Sequence, residues 1–560
     1  VALTAGNAGL YLDNRGILFG EDGVGHLPVR TSSGDDTIEN TGTYLGAVDL
    51  GVGRNAVFNR AGALWQAGAV ARLGGGQFLN EGKLVIGEVD RVDTVALDGS
   101  FAQGETGELF SLLDFGSGAA DRLVVSGKAS IDGTLWLATT GAERLRPGIH
   151  YSHVLETSAA SDLGAKLQVA PAQLIDYRTF VDQDGYGVRY AVDFGPSWLE
   201  ENLEEVGRHI NALQLAGSRP VYADLIKGLA YSNEKSEIRA AYRSLSPEYY
   251  AYEEAQFLRG AQSFIDNLTG CRPASGEVRR TDEGSCFWAE LSRTRHDINM
   301  GNGWARGEFD LNRHGFGGQF AVREHLWAGF AVARDHTAGS AASLATGGDS
   351  EALQLGLSIR YQPLPAFTLT GSVAWGTLDS RITRLAGQAE TRAFSQRDGE
   401  TFGALLRASY QLDAGDGFLR PVLDIGFSAL DLEGTRERGE SALRLSLAGS
   451  RQRYWWLRPR FEAGQTLRVS EDLALRLEAG AGWRHYFGDG RVETDASLLF
   501  APEGVASMSP SVDLGDRGFE YDAGVSLLWR SGASLELRGQ WQDTKAWSGH
   551  QMTLRLAVPF

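Results

Sequence analysis

The sequence predicts an all-β dominated protein. Its C-terminal half reads as a closed, twelve-stranded antiparallel barrel crossing a membrane, with a helix in its lumen, preceded by a helical connector and a right-handed parallel β-helix fragment. Three patterns carry this prediction: apolar residues alternating with period two in strand after strand, connections that alternate between short turns and long polar stretches, and a repeat of about twenty residues near the N-terminus. Glycine is abundant at 72 residues against 14 prolines, 3 methionines and 2 cysteines, which suits the tight turns of a large β structure. A chain of 560 residues is long enough for several modules.

In residues 1–100, Ile38, Gly42 and Tyr44 are followed by Phe58, Gly62 and Leu64, then by Phe78, Gly82 and Leu84, and Leu12 to Leu18 form an earlier copy. An apolar, glycine, apolar core at this period fits β-helix rungs, each unable to bury its inward face without neighbours. Residues 101–195 close this region with Gly118-Ala119-Ala120-Asp121-Arg122-Leu123-Val124-Val125-Ser126-Gly127 and Ile131-Asp132-Gly133-Thr134-Leu135-Trp136-Leu137. From 196 to 245 the period becomes helical, with Leu199, Leu203, Val206, Ile210 and Leu213 on one stripe. This is a connector.

Residues 246–270 hold the next helix. Ser246-Pro247-Glu248 is an N-cap with proline at the first helical position, followed by Tyr250, Glu254, Phe257, Ala261, Phe264 and Leu268 at helical spacing. From Ser246 to Leu268 such a helix is about 34 Å long, enough to cross a membrane inside a barrel. Its acidic residues Glu248, Glu253, Glu254 and Asp266 would meet arginines on the inward face, with Arg360, Arg407, Arg420, Arg458, Arg460, Arg476, Arg484, Arg538 and Arg555 as candidates.

Residues 271–560 are the barrel. Leu353, Leu355, Leu357, Ile359 and Tyr361 oppose Gln354, Gly356, Ser358 and Arg360; Leu473 to Trp483 and Tyr521 to Trp529 repeat the pattern. In the last strand Met552, Leu554, Leu556, Val558 and Phe560 share the apolar face. Short turns at 324–325, 363–365, 414–417, 470–472 and 531–532 alternate with long polar stretches around Ala341, Gly387, Arg438 and Glu503, as a membrane barrel requires. Trp375, Trp483, Trp529, Trp541, Tyr361 and Tyr410 lie toward strand ends on the apolar face, where aromatic girdles belong. Cys271 and Cys286, a close pair in an exported chain, read as a disulfide rather than a metal site.

Leu245-Ser246-Pro247-Glu248-Tyr249-Tyr250 leading into a helix, Cys286-Phe287-Trp288-Ala289-Glu290 opening a first strand, twelve strands, and the closing Leu556-Ala557-Val558-Pro559-Phe560 together resemble the monomeric (type Va) autotransporters of Gram-negative bacteria. The resemblance covers about half the chain. It implies an outer-membrane translocator whose helix fills the pore after an N-terminal passenger has reached the cell surface. It also implies that the barrel assembly machinery reads Leu556, Val558 and Phe560, that periplasmic chaperones and outer-membrane lipid are partners, and that Cys271 and Cys286 meet at the periplasmic rim. The segment from Gly118 to Leu137 is similar to the autochaperone that ends many passengers. The double asparagine of self-cleaving relatives is missing at Asp266-Asn267, so the passenger is expected to stay uncut there.

The formal charge of −18 argues against nucleic acid as a partner. No run of about 18 apolar residues marks a helical span. The start at Val1, without methionine or a signal segment, reads as a processed or trimmed fragment. No Gly-x-Ser-x-Gly elbow is present, His150 and His153 lack converging ligands, and Gly51-Val52-Gly53-Arg54-Asn55 is a poor phosphate loop. The expectation is therefore a monomer with no catalytic residues, metal or cofactor, displaying a passenger that binds a host or cell-surface ligand. The alternative is a carrier for an enzymatic passenger domain, protease or esterase, lying upstream.

Overall fold

The computed structural model describes residues 3–20, 24–217, 219–268, 271, 284–301, 303–387, 391–488, 490–514 and 518–560. These form two compact units. One comprises Val1–Pro196 with Ile210–Ile238, and the other Ser197–His209 with Arg239–Phe560.

The first unit is a parallel solenoid, because each rung supplies a row of apolar side chains that only the next rung can cover. One ladder aligns Ile38 with Val57, Phe78, Phe101 and Ala129 on successive strands, all at most 3% exposed. Another aligns Tyr44 with Trp65 and Leu84, the first two rings stacked at 3.7 Å. The twenty-residue period is thus real, but its middle rung is displaced by one from the sequence alignment: Val57 and Trp65, not Phe58 and Leu64, occupy the equivalent positions. The turn between Asn59 and Leu64 is longer than those after Asn40 and Asn80, so the shift is unequal on its two sides. The parallel ladder continues through Gly148–Leu163 and Lys166–Val169 and is capped by antiparallel pairing of Gly185–Val192 with both Gly148–Leu163 and Ile175–Asp182.

The second unit holds the barrel. Its strands are β1 (Cys286–Ile298), β2 (Gly307–Arg323), β3 (Leu326–Ala341), β4 (Thr346–Leu364), β5 (Phe367–Ala386), β6 (Thr391–Tyr410), β7 (Gly417–Leu432), β8 (Ser450–Arg468), β9 (Leu473–Phe487), β10 (Gly518–Trp529), β11 (Ser534–Asp543) and β12 (Trp547–Pro559). Every neighbour is antiparallel, and β12 closes the ring on β1 from Trp547 opposite Ile298 to Pro559 opposite Cys286. Period-two alternation sorts the two faces. Leu353, Leu355, Leu357 and Ile359 point outward at 44–62% exposure while Gln354, Ser358 and Arg360 are buried inside.

All six girdle aromatics lie on that outer face. Phe402 and Tyr410 on β6 are eight residues apart, about 26 Å along the strand, which spaces two belts across a membrane. Four of the five short turns fall where the sequence puts them, and the one expected at 363–365 lies at 365–366, because β4 runs on through Leu364. Two of the expected long loops do not fall where the sequence puts them. Around Ala341 the chain crosses from β3 to β4 in a single helical turn, Ala342–Leu344, and β5 runs to Ala386 before β6 begins at Thr391, residues 388–390 lying outside the described ones. Polar alternation there belongs to strands of 16 to 20 residues that continue beyond the apolar band, since hydrogen-bonded pairing does not stop where lipid does. The long connections are 433–449 and 488–517.

Candidate functional site

Among the described residues four α-helices precede the barrel strands: α1 (Glu201–Ala216), α2 (Ala223–Tyr231), α3 (Lys235–Arg243) and α4 (Glu248–Asp266). The last runs inside the barrel, and all of its 19 residues but Ser263 and Asp266 are buried, the charged Glu248, Glu253, Glu254 and Arg259 among them. At 1.5 Å per residue it is about 28 Å long. Proline stands one position earlier than the sequence suggests, as the N-cap, while the Ser246 hydroxyl accepts the Glu248 N–H at 3.3 Å.

Each inward polar group must find a partner, because water is scarce around a filled lumen. At the C-terminal end of α4, Asp266 receives Arg458 bidentately at 2.7 and 2.8 Å, with Arg484 at 3.4 Å and Arg407 at 3.8 Å. Arg458 also binds Asp424 at 2.6 Å and Glu520 at 3.0 Å, and Asp424 binds Arg407 at 2.7 Å. Seven of the nine predicted arginines, Arg360, Arg407, Arg420, Arg458, Arg460, Arg538 and Arg555, line a cavity of about 120 Å³ beside Asp266 and Asn267. Arg484 borders the adjoining space, and Arg476 reaches Thr466 at 3.2 Å.

Of the acidic residues of α4, Asp266 and Glu254 pair with lumen arginines, Asp266 with candidates the sequence names and Glu254 with one it does not, while Glu253 and Glu248 are held mainly by other groups. Glu254 meets Arg397 at 2.9 Å, an arginine the sequence reading omits, and Glu253 accepts from Ser380. Among the described residues Glu248 meets no arginine; it is held by Asn202, Ser246, Tyr252 and the Ala305 N–H. The barrel wall neutralises most of its own arginines. Arg420 pairs with Glu462, Arg460 with Asp522, and Arg555 with Glu290, while Arg538 binds Glu478, Asp522 and Glu536, each at 2.8 Å. Carboxylates at these positions alternate inward exactly as the arginines do, so period two identifies them too; it cannot say which strands become neighbours in height. Arg313, bound to Asp335 at 2.7 Å and to the Gly260 carbonyl at 2.7 Å, is a further lumen contact legible by the same signal. Phe257 is buried on α4.

The N-terminal end of α4 is clasped by loops: Tyr252 donates to the Ala305 carbonyl at 2.7 Å and Tyr250 donates to Glu437 of loop 433–449 at 2.8 Å. Past the middle of the helix, Arg259 donates to the Leu514 carbonyl of loop 488–517. The same loop holds the start of α1. His209 Nδ1 donates to the Ala506 carbonyl at 2.6 Å and its Nε2 accepts the Leu498 N–H at 3.2 Å, so both ring nitrogens are satisfied only in the neutral form. Burial holds its pKa below the ordinary value, opposed by the Ala506 bond. Glu205 accepts the Ser509 N–H at 3.2 Å and is pushed upward by burial.

At the short-turn rim Cys271 and Cys286 form a disulfide with Cα atoms 5.6 Å apart, tying the chain below α4 to the first residue of β1. Phe560 stacks on Phe287 at 4.6 Å, and Leu556 and Val558 face outward.

Residues 287–540 match the autotransporter beta-domain family. This chain carries an autotransporter β-domain. No curated protein matches the chain. Among solved structures, the autotransporter is similar to the translocator domain of NalP from Neisseria meningitidis, at 15% identity over 56% of this chain and 98% of that one, with a TM-score of 0.43. It is also similar to the transport unit of AIDA-I from Escherichia coli, at 13% identity over 56% and 99% of the two chains, TM-score 0.39. The β-domain of the Bordetella autotransporter BrkA gives 14% identity, 50% and 100% coverage, and 0.39. The family match of residues 287–540 places the barrel in the outer membrane, where it carries a passenger by type V secretion and presents it at the cell surface.

Proposed function

We infer that this autotransporter is a sealed anchor for a passenger that works by binding. The seal rests on one observation: α4 occupies the lumen with Asp266 held bidentately by Arg458. Planar-bilayer recordings test it. The intact chain is expected to conduct poorly and a chain lacking residues 246–268 to conduct as an open pore; equal conductance would refute the plug.

The binding role of the passenger is supported by its solenoid, whose stacked ladders offer long flat sides to a host or cell-surface ligand. Cells displaying the whole chain are expected to adhere to host surfaces more than cells displaying residues 246–560 alone. Equal adherence would remove this reading. Leu556, Val558 and Phe560, outward on the strand that closes the ring, are suited to be read by the assembly machinery while β12 is still an open edge, and outer-membrane lipid is the solvent for that face.

A further inference from the structure

Where loop 433–449 folds into the barrel mouth, a buried ion pair joins parts of the chain far apart in sequence. Arg384 at the end of β5 and Glu437 of the loop have side chains 1% and 0% exposed. Four donors converge on the Glu437 carboxylate: Arg384 Nε at 3.0 Å, Arg384 Nη2 at 2.6 Å, the Tyr250 hydroxyl at 2.8 Å and the Leu445 N–H at 2.7 Å. Arg384 in turn donates to the Leu443 carbonyl at 2.9 Å and to the Ser244 carbonyl. The Tyr250 hydroxyl also touches Ser395 Oγ of β6 at 2.9 Å.

Two of these partners do not belong to the barrel. Tyr250 stands on the first turn of α4, and Ser244 lies in the segment that leads into it, where its hydroxyl also accepts the Gly387 N–H at 3.3 Å. With α4 out of the lumen, Glu437 lacks one donor and Arg384 one acceptor, and the emptied lumen admits water to the site. A pair short of two hydrogen bonds and reached by water holds the loop less tightly, so the loop swings free into solvent more often. With α4 seated, the network is complete and the loop closes.

We propose that Arg384 and Glu437 are positioning residues of a latch that folds loop 433–449 over the pore only when α4 is seated. The closed mouth would thereby follow, and not precede, passage of the passenger. The latch rests on α4 being the plug, and the experiment separates the two.

The test uses the full chain with two variants, Tyr250→Phe on the helix and Glu437→Gln on the loop. Both are expected to assemble and display the passenger as the unaltered chain does. In both, trypsin cleavage at Arg436, Arg438 and Arg444 should quicken about tenfold, the scale of one lost hydrogen bond to a charged group. Spontaneous channel openings should rise by a similar factor. Tyr250→Phe decides, since it leaves the loop sequence intact and keeps the ring that fills the site. Unchanged cleavage and openings in Tyr250→Phe overturn the latch, whether Glu437→Gln alters them, leaves them alone or fails to assemble. If the unaltered chain already conducts freely, the plug reading falls, while the trypsin comparison still decides whether the loop senses the helix.

Discussion

At the scale of single residues, the lumen separates two kinds of charge. Asp266 belongs to a shared network in which Arg458 keeps Asp424 and Glu520 if the helix carboxylate is removed, whereas Arg397 has Glu254 as its carboxylate at 2.9 Å, both side chains at most 1% exposed. Glu254→Leu is therefore expected to cost about 3–5 kcal/mol, the price of stranding one member of a buried pair, and Asp266→Asn about 1 kcal/mol. The melting of the heat-modifiable band on gels measures both, and equal losses would contradict the network. His209 gives a pH dependence. Its folded pKa lies below the ordinary value of about 6.5, so the unfolded segment binds more protons in that interval and stability rises with pH up to there. The docking of α1 on loop 488–517 should be complete above about pH 6.5 and weaken as the pH falls below it. Hydrogen exchange of Leu498 between pH 7.5 and 5 reads this, and His209→Gln should flatten the His209-dependent part of the response.

At the scale of elements, the solenoid owes its alignment to a device that sequence periodicity only half reveals. Asn14, Asn40, Asn59 and Asn80 each donate a side-chain N–H to the next, at 2.7, 2.9 and 2.8 Å, and the run ends on Gln103 at 2.9 Å. Each Nδ2 also reaches a backbone carbonyl of the following rung, Thr43, Leu64, Lys83 or Glu108. Glycine follows two residues after Asn14, Asn40 and Asn80, which is the visible trace of the ladder; the longer turn after Asn59 hides the fourth copy. Asn59→Leu should lower solenoid stability by about 3 kcal/mol, because it leaves Asn40, Asn80 and Lys83 groups unpaired in the interior. Denaturant unfolding of the passenger unit measures it. In the barrel, Phe560→Asp places a charge on the outward face of the closing strand and loses the ring stacked on Phe287. Outer-membrane levels should fall several-fold, and normal levels would show that the terminal ring is dispensable.

At the scale of the whole molecule, period-two alternation determined the twelve strands, their inward and outward faces, the aromatic belts and the closing role of the last strand, because lipid on one side and a polar lumen on the other impose that pattern residue by residue. The twenty-residue period likewise determined the solenoid, and the spacing from Ser246 to Leu268 determined the lumen helix. Tertiary structure alone decided which carboxylate faces which arginine, since strand tilt and stagger set heights that alternation does not encode. It also decided that polar stretches near Ala341 and Gly387 are strand and not loop, and that the rungs align through Val57 and Trp65, one residue off the repeat. The division has one physical cause. A solvent boundary acts on each residue separately and leaves its mark in the sequence, whereas a hydrogen bond between Arg384 and Glu437, or between Arg397 and Glu254, exists only once the ring has closed around its helix.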